Sequence, residues 1–406
     1  MRVLCVSQEG TQLTQFFRDH DFELLSWPEQ GEYGPEVPGR IEAICSNLNG
    51  LADIDCVVSE HLSSAPVVCQ LRKLGYSGPV AMIPHVNPYP TRNLLHALLW
   101  SKIWGPRDVV VVGSTVTAQK YESLFGMRSE SIPTYGVDET TFFPREKAAS
   151  RRQFELSSGP VLLYTGRFAR DKNIGALLVV YRSIHEVVPD AQLVMAVTFR
   201  DHAYWHGLKG HMEGVRVLEW LAADKLAKLY SAADLFVSCA TSYFETFPRS
   251  PVEARACGTR SVVPDWDGFR ACVGDNDKLV PVDFLVAPLY DQWSYAMVSL
   301  PEMVRACGHA LSSTPATTAP VPERFTVSAT ALRLNKLLQE LTAGATLDAW
   351  NGKNDVQPKR TILQAVVDAL GASDLKELRT LTTCSEGELP TIRPALLREL
   401  YVALFG

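Results

Sequence analysis

Four charged side chains in the second half of the chain have the types and spacing that suit a nucleoside diphosphate. Glu253 follows Glu245 by eight positions, and Lys172 follows Arg167 by five. A diphosphate calls for about two positive charges, for which arginine supplies a planar fork and lysine a point charge. A carboxylate can accept hydrogen bonds from a ribose diol. The residue types suit a nucleotide site, but two glutamates at this spacing mean little alone, and the alternative is that these are solvated surface charges.

The elements around the two glutamates form a strand, a loop, a helix and a second strand. Residues 235–237 and 261–263 are short apolar runs typical of strands. Between them, Ser250 is expected to cap a helix with Pro251 in its first position, and Gly258 is expected to end it. This crossover predicts a parallel sheet, whose carboxyl edge is where open α/β sheets bind ligands. The helix N-terminus would offer N–H groups to a phosphate.

The two cations follow a strand of the same kind. An apolar run opens at Pro160 and closes on Gly166, and a helix is expected from about Asn173. Gly166 would let the backbone approach a ligand closely. Arg170 lies between the two cations and is expected at the surface. The polar stretch 145–159 before this strand is expected to be a linker.

The first half of the chain carries candidate residues at predicted strand ends. A strand over 2–6 leads to a turn that contains Gly10, which would permit a ligand to approach the backbone. Two later strands end close to His61 and His85. A lone histidine is more often structural, but a position at a strand's carboxyl end before a turn-rich loop favours a functional role for His85. His61 is the competing candidate.

Size and composition limit the function. The chain has 406 residues, 46% hydrophobic, which is enough for two domains with their own cores. The net charge of −6 argues against a nucleic-acid or anionic-membrane partner. The first residues are expected to form a strand rather than a signal peptide, and no stretch approaches the ~20 apolar residues of a membrane span. Nine scattered cysteines favour reduced thiols and a cytoplasmic location.

No metal or other cofactor is expected. No cluster has the spacing of zinc ligands. The D-x-D pattern, which can bind a metal, occurs four times, and solvated turns are the better interpretation of so common a pattern. The four pairs are Asp19 and Asp21, Asp53 and Asp55, Asp265 and Asp267, and Asp275 and Asp277.

Three segments together resemble a known family. Residues 245–258 are E-T-F-P-R-S-P-V-E-A-R-A-C-G, where the retaining glycosyltransferase family 4 has E-G-F-G-x-x-x-x-E-A-x-A-C-G. Residues 164–173, Y-T-G-R-F-A-R-D-K-N, are similar to the family's Y-x-G-R-x-x-x-x-K-N/G. Residues 132–138, I-P-T-Y-G-V-D, are similar to its I-P-N-G-V-D, with Tyr135 in place of the asparagine. The resemblance covers about 1–341 and is strong from Ile132 onward.

The resemblance implies the GT-B architecture, which is an α/β fold of two Rossmann-like domains facing a cleft. We expect an acceptor domain over 1–150 and a nucleotide-sugar donor domain over 151–341. Residues 342–406, which the family does not account for, are expected to form a linker and a helical extension. This extension would pack on the first domain or mediate association.

The resemblance also implies an activity, the transfer of a sugar from a nucleoside diphosphate sugar to an acceptor hydroxyl with retained configuration and without a metal. Arg167 and Lys172 match the diphosphate-binding cations, and Glu253 the ribose-binding carboxylate. Glu245 and His85 match residues that contact the donor sugar and are the catalytic candidates. The remaining donor-binding candidates are Gly10, Phe247, Pro248, Arg249 and Ser250.

Two departures from the family pattern leave the sugar contacts and the donor open. Thr246 and Pro248 replace the glycines whose N–H groups face the sugar, and proline has no N–H to donate. Arg249 would compensate beside them. Two alternatives stay open: a nucleotide- or sugar-binding protein without turnover, and a GT-B isomerase that converts a nucleotide sugar without an acceptor. The sequence indicates neither the base, the sugar, the acceptor nor the oligomeric state.

Overall fold

The computed structural model describes residues 1–6, 23–26, 51–89, 91–289, 294–313, 321–344, 357–371 and 394–405. The chain forms two compact units. Unit 1 comprises Met1–Tyr135 and Thr330–Gly406, and unit 2 comprises Gly136–Ala329. The predicted turn that contains Gly10 lies outside the described residues.

Unit 1 is built on a six-stranded parallel sheet with the order β2-β1-β3-β4-β5-β6. Its central strands β3, β4 and β5 are mostly apolar, often β-branched runs that are buried on both faces, as parallel strands covered by helices require. The strands are β1 (Arg2–Val6), β2 (Glu23–Ser26), β3 (Cys56–Glu60), β4 (Val80–Ile83), β5 (Val109–Val112) and β6 (Ser129–Ser131). The helices are α1 (Ala65–Lys73), α2 (Thr91–Ile103) and α3 (Thr115–Phe125).

Unit 2 repeats this plan with a second six-stranded parallel sheet, in the order β12-β11-β10-β7-β8-β9. An antiparallel hairpin follows it. The strands are β7 (Val161–Phe168), β8 (Gln192–Arg200), β9 (Val215–Glu219), β10 (Leu235–Val237), β11 (Arg260–Pro264), β12 (Lys278–Val280), β13 (Val282–Leu289) and β14 (Ser294–Val298). The helices are α4 (Lys147–Gln153), α5 (Ile174–Val187), α6 (His202–Leu208), α7 (Ala223–Ala232), α8 (Arg249–Ala256), α9 (Phe269–Cys272) and α10 (Leu300–Ser312).

The helices in the described residues at the end of the chain are α11 (Val327–Thr342), α12 (Gln357–Leu370) and α13 (Pro394–Phe405). Leucines of α11 join the core of unit 1, although the sequence analysis assigned residues up to 341 to the second domain. The predicted divisions at 150 and 341 therefore differ from the compact units. The reason is the apolar face of α11, which is buried against the first sheet through Leu334, Leu337, Leu338 and Leu341.

The predicted linker over 145–159 is another difference, because it contains a regular helix. The Glu146 carboxylate accepts hydrogen bonds from the first N–H groups of α4 and caps it. Arg151 of the same helix donates to the carbonyl of Ala232, at the end of α7, at 3.0 Å and also forms an ion pair with Asp234. This segment is therefore part of unit 2.

The last helix packs on unit 1, which is one of the two roles expected of the extension. Tyr401 of α13 is fully buried, and its ring lies 5.0 Å from that of Tyr89, which is also fully buried. The ammonium group of Lys120 lies 4.1 Å from the ring centroid of Phe405. An aromatic cluster thus joins the tail to the loop after β4 and to α3.

Candidate active site

The carboxyl edge of the sheet in unit 2 gathers the charged residues that the sequence analysis selected. The strand order places β7 beside β10, and the chain continues from β7 to β8 on one side and from β10 to β11 on the other. A reversal of strand order of this kind opens a crevice beyond the strands' carboxyl ends, where open α/β sheets bind ligands. The predicted crossover from β10 through α8 to β11 is parallel, as expected.

Both predicted diphosphate-binding cations form ion pairs at this edge. Arg167 lies 2.7 Å from Asp171, and the ammonium group of Lys172 lies 3.4 Å from the same Asp171 oxygen. Lys172 also donates to the Glu245 carboxylate. The side chains of Asp171 and Glu245 are each only 6% exposed, whereas that of Arg167 is 42% exposed. The structure therefore brings three predicted residues together and adds Asp171, which the sequence analysis did not select.

The backbone before the cations has a conformation that suits glycine. Gly166 has φ +143°, a region that residues with a side chain rarely adopt. A side chain there would also meet the Tyr164 hydroxyl, which donates to the carbonyl of Arg167 at 2.8 Å. After Lys172, Asn173 adopts a left-handed conformation and α5 begins. This turn fixes the direction in which Arg167 and Lys172 leave the sheet.

The loop that carries Glu245 is held by the turn after β11. The amide of Gly268 donates to the carbonyl of Glu245 at 2.9 Å. A Cβ atom at Gly268 would lie 2.3 Å from the carbonyl oxygen of Thr246, so only glycine allows this approach. The indole of the buried Trp266 donates to the carbonyl of Ser242 at 2.9 Å. These contacts fix the loop despite the replacement of both family glycines.

Glu253 lines a pocket of about 220 Å³ at the same edge. One of its carboxylate oxygens lies 3.3 Å from Arg249, and the other accepts a hydrogen bond of 3.0 Å from the Tyr230 hydroxyl. Tyr230 is fully buried and also bonds Thr165 at 2.5 Å. Burial raises the pKa of Tyr230 well above its usual value, so its hydroxyl keeps its proton. The pocket lining is Thr165, Gly166, Ala196, Val197, Thr198, Leu221, Leu226, Arg249, Ser250 and Glu253.

The helix after the Glu245 loop starts one residue earlier than the predicted cap. It begins at Arg249, and Pro248 holds the extended conformation of the preceding position. The expectation that Ser250 caps the helix is therefore wrong, because its hydroxyl instead donates to the carbonyl of Thr165 at 3.3 Å. Phe247 is half-buried, and its ring lies 5.5 Å from that of Phe325. The first turn still presents the N–H groups of Arg249 and Ser250 toward this edge.

His85 belongs to a separate cluster, at the carboxyl edge of the sheet in unit 1. Its Nε2 atom lies 2.8 Å from the carboxylate of Glu60, the last residue of β3. Tyr135 donates to the same Glu60 oxygen, and its ring stacks on His85 with centroids 4.9 Å apart. The ring centroid of His61 lies 5.1 Å from that of His85. Desolvation of the ring first, and then the neighbouring His85, lowers the pKa of His61.

The acidic residues do not form a metal site in the part of the chain that the structure describes. No group of three or more His, Cys, Asp or Glu side chains there could hold an ion. Among the described D-x-D residues, Asp267 departs from the solvated turn that the sequence predicts, because it is only 2% exposed. Among the described helices, none is long and apolar enough to span a bilayer.

The fold is that of the GT-B glycosyltransferases, as predicted. The chain superimposes on sucrose-phosphate synthase from Thermosynechococcus elongatus with a TM-score of 0.67 at 18% identity, over 85% of this chain and 100% of that one. It superimposes on Anabaena HepE in complex with UDP and glucose with a TM-score of 0.63 at 14% identity, over 84% and 99% of the two chains. At these identities the likeness concerns the fold alone.

The sequence comparisons agree with the predicted resemblance in the second half of the chain. Residues 159–300 match the family described as glycosyl transferases group 1. A D-inositol 3-phosphate glycosyltransferase from Segniliparus rotundus is 30% identical over 213 residues, which are 50% of this chain and 47% of that protein. The chain thus spans about half the length of this curated relative. The family match over 159–300 contains all the predicted donor-site residues of unit 2.

Proposed function

We propose that the chain is a glycosyltransferase that moves a sugar from a nucleoside diphosphate sugar to an acceptor hydroxyl. The observation that carries the proposal is the pairing of Lys172 with Glu245 at the carboxyl edge of unit 2. It lies on the same edge as Arg167 and the Glu253 pocket. Two cations, a carboxylate and a partly apolar pocket are the groups that a diphosphate, a ribose and a base require.

The nucleoside would occupy the pocket that Glu253 lines. Tyr230 and Arg249 hold the two carboxylate oxygens, so the side chain is fixed before a ligand arrives. Its oxygens can still accept hydrogen bonds from the two ribose hydroxyls, because each carboxylate oxygen has two acceptor positions. Ala196, Val197 and Leu221 give the pocket its apolar side, against which a base would pack.

A bound diphosphate would replace the two carboxylates as the partner of the two cations. A phosphate near Lys172 would compete with Glu245 for its ammonium group, and a phosphate near Arg167 would compete with Asp171. Once Lys172 turns to the phosphate, the Glu245 carboxylate can accept hydrogen bonds from the hydroxyls of the sugar. During bond cleavage the two cations would then stabilise the negative charge that develops on the leaving diphosphate. The N–H groups of Arg249 and Ser250 would add to this at the start of α8.

Retention of configuration and independence from a metal are part of the same proposal. They rest on the resemblance to family 4 and on the presence of protein cations where a metal would otherwise balance the diphosphate charge. His85 is proposed to contact the transferred sugar, and Phe247 and Pro248 to line the donor site. The match to the group 1 family over 159–300 supports the donor-site roles. The structural likeness to a protein solved with UDP and glucose makes UDP-glucose the first donor to test.

The donor site is tested by thermal unfolding with UDP, GDP, ADP, CDP and dTDP. A nucleotide at 100 times its Kd should add about 2.7 kcal/mol to the free energy of unfolding. We expect one nucleotide to stabilise the wild type and Lys172→Ala to lose that shift. Absence of any shift at millimolar concentration would contradict the donor site.

Turnover separates the proposal from its alternatives. The expected result is consumption of the donor only with a hydroxyl acceptor, apart from slow hydrolysis, and loss of transfer in Glu245→Ala. Nucleotide binding without consumption of any donor would indicate a binding protein instead. Conversion of the donor sugar without an acceptor would indicate an isomerase.

A further inference from the structure

The cluster around His85 contains a carboxylate that no part of the proposed chemistry uses. Glu60 is only 1% exposed, although a carboxylate at a strand end would normally be hydrated. Burying an unpaired carboxylate is costly, so such a group is held where it has donors. Here its Oε1 atom accepts from His85 and from Tyr135. Since both donors lie on the same oxygen, Glu60 joins the two rings into one rigid group.

The backbone around this group is also unusual. His61 has φ +69° and His85 has φ +57°, a left-handed conformation that costs free energy for a residue with a side chain. Each residue lies just after a strand of the same sheet, and the His61 amide donates to the carbonyl of Ile83 at 2.8 Å. Strained backbone of this kind persists where the surrounding contacts over-determine it, and it concentrates at functional sites.

We infer that Glu60 is a positioning residue that fixes the orientation and tautomer of His85. The Glu60 carboxylate can only accept, so a neutral imidazole must carry its proton on Nε2 to bond it. The hydrogen-bond acceptor of the ring is then Nδ1. Tyr135 stacks on the ring and prevents it from rotating away. The imidazole is thereby held in one orientation for the sugar contact proposed above.

This inference rests on the proposed function for the identity of the ligand, but not for the contact itself. The contact explains why a tyrosine stands where the family has an asparagine. Tyr135 bonds Glu60 through its hydroxyl and covers the face of His85 with its ring. His61, which lies near the same ring, does not take part in the bond to Glu60 described here, and its pKa is lowered by burial.

The test is nitrogen NMR of protein labelled with ¹⁵N at histidine, with the His85 signals assigned from their loss in His85→Gln. We expect a protonated Nε2 and an unprotonated Nδ1 in the wild type, and a mixture of tautomers in Glu60→Ala. A wild-type ring protonated on Nδ1, or on both nitrogens, would overturn the inference. Unchanged His85 signals in a folded Glu60→Ala would overturn it too. The wild-type spectrum decides the first point even if Glu60→Ala fails to fold.

Kinetics provide a second readout. Glu60→Ala should lower kcat by roughly 10- to 100-fold, by analogy with the loss that follows removal of a partner that orients a metal-binding histidine, with little change in the KM for the donor. Tyr135→Phe keeps the stacking and should lower kcat less. Asp108→Asn is the matched control, because Asp108 is also a buried carboxylate of unit 1 but bonds Arg72 at 2.7 Å. It should leave both the His85 signals and kcat unchanged.

The outcomes separate the two claims. An unchanged kcat in folded Glu60→Ala, in an enzyme that transfers sugar, would overturn the positioning role. A wild type that transfers no sugar but shows His85 protonated only on Nε2 would refute the proposed function while supporting the positioning contact.

Discussion

The candidate sites of the two units are assembled in different ways. In unit 2 the charged residues come from two short stretches. Residues 166–173 lead from the end of β7 through a short turn to the start of α5, and residues 245–253 form a loop followed by α8. In unit 1 the cluster takes Glu60, His85 and Tyr135 from three separate parts of the chain, and hydrogen bonds and stacking join them. The first arrangement is encoded by local spacing, whereas the second arises only when the strands pair.

The two sites also differ in exposure. The Arg167 side chain is 42% exposed and Lys172 18%, so both can reach a ligand with little loss of hydration. Glu60 in unit 1 is 1% exposed. The two cations of unit 2 can therefore contact an arriving phosphate, although their partners Asp171 and Glu245 are each only 6% exposed. The buried carboxylate of unit 1 supports a ring that would meet the substrate. This contrast predicts large effects on ligand binding in unit 2 and effects on stability and geometry in unit 1.

The largest effect is expected for Lys172→Ala. The change removes a cation from the proposed diphosphate site and leaves the buried Glu245 without its lysine. We expect transfer to fall by roughly 10²- to 10³-fold, as it does when one group that stabilises transition-state charge is removed. The measurement is kcat with the donor that the binding screen identifies. Lys147→Ala is the control, because Lys147 pairs with Asp234 in the same unit at 2.6 Å. Equal losses in both variants would contradict the special role of Lys172.

The second effect concerns stability alone and tests the separate role of unit 1. Phe405→Ala removes a buried ring that lies over Lys120 and beside Tyr401, at 4.6 Å between ring centroids. Truncating a buried phenylalanine costs about 3–5 kcal/mol. Denaturant unfolding should show this loss, while the nucleotide-induced stabilisation of folded protein should remain. Leu332→Ala, at a leucine that is 71% exposed, should have little effect. Loss of nucleotide binding in folded Phe405→Ala would contradict the expectation that this part of unit 1 affects stability and not ligand binding.

Local patterns explain which parts of the fold and the site could be predicted. The GT-B fold could be predicted from the resemblance of three segments to family 4, and the parallel crossover through α8 from the strand and glycine spacing. Lys172 and Glu245 were each expected after a strand of the same sheet, but their ion pair appears only in the structure. The start of α8 could not be assigned correctly, because Pro248 and Ser250 both suit a helix start and only the bond to Thr165 decides between them. The sequence does not single out Asp171, Tyr230 or Glu60. Tyr230 and Glu60 act by bonding residues that are distant in sequence. Asp171 lies close to its partner Arg167 but looks like an ordinary charged residue.

The third prediction uses pH to test the effect of His96, a buried histidine of unit 1, on stability. Burial lowers the pKa of His96 from its usual 6.5 to about 4, and its side chain lies only 2.9 Å from the carbonyl of Arg92. Since the folded pKa lies below the unfolded one, the unfolded state takes up the proton first. Stability is therefore lost as pH falls from about 6.5 to about 4, by at most about 3 kcal/mol.

The free energy of unfolding of wild type and His96→Gln at pH 7 and at pH 4.5 measures this. The variant should lose less stability on acidification than the wild type. His206→Gln serves as the control, because His206 is exposed in unit 2. The same loss in wild type and His96→Gln would contradict the prediction.

The smallest effect concerns a buried supporting contact in unit 2. Tyr230 donates to Glu253 at 3.0 Å and bonds Thr165 at 2.5 Å, much as Glu60 supports His85 in unit 1. Tyr230→Phe keeps the ring and removes the hydroxyl, which should cost about 1–2 kcal/mol of stability because a buried acceptor loses its donor.

Nucleotide affinity separates this supporting role from a purely structural one. If the hydroxyl orients Glu253 for the ribose, Tyr230→Phe should weaken the nucleoside diphosphate several-fold and weaken the matching 2′,3′-dideoxy nucleotide much less, because the latter offers no diol. Calorimetric Kd values for the two ligands provide the test. Equal weakening of both would mean that Tyr230 shapes the pocket without directing the carboxylate, and unit 2 would then contain no counterpart of the Glu60 contact.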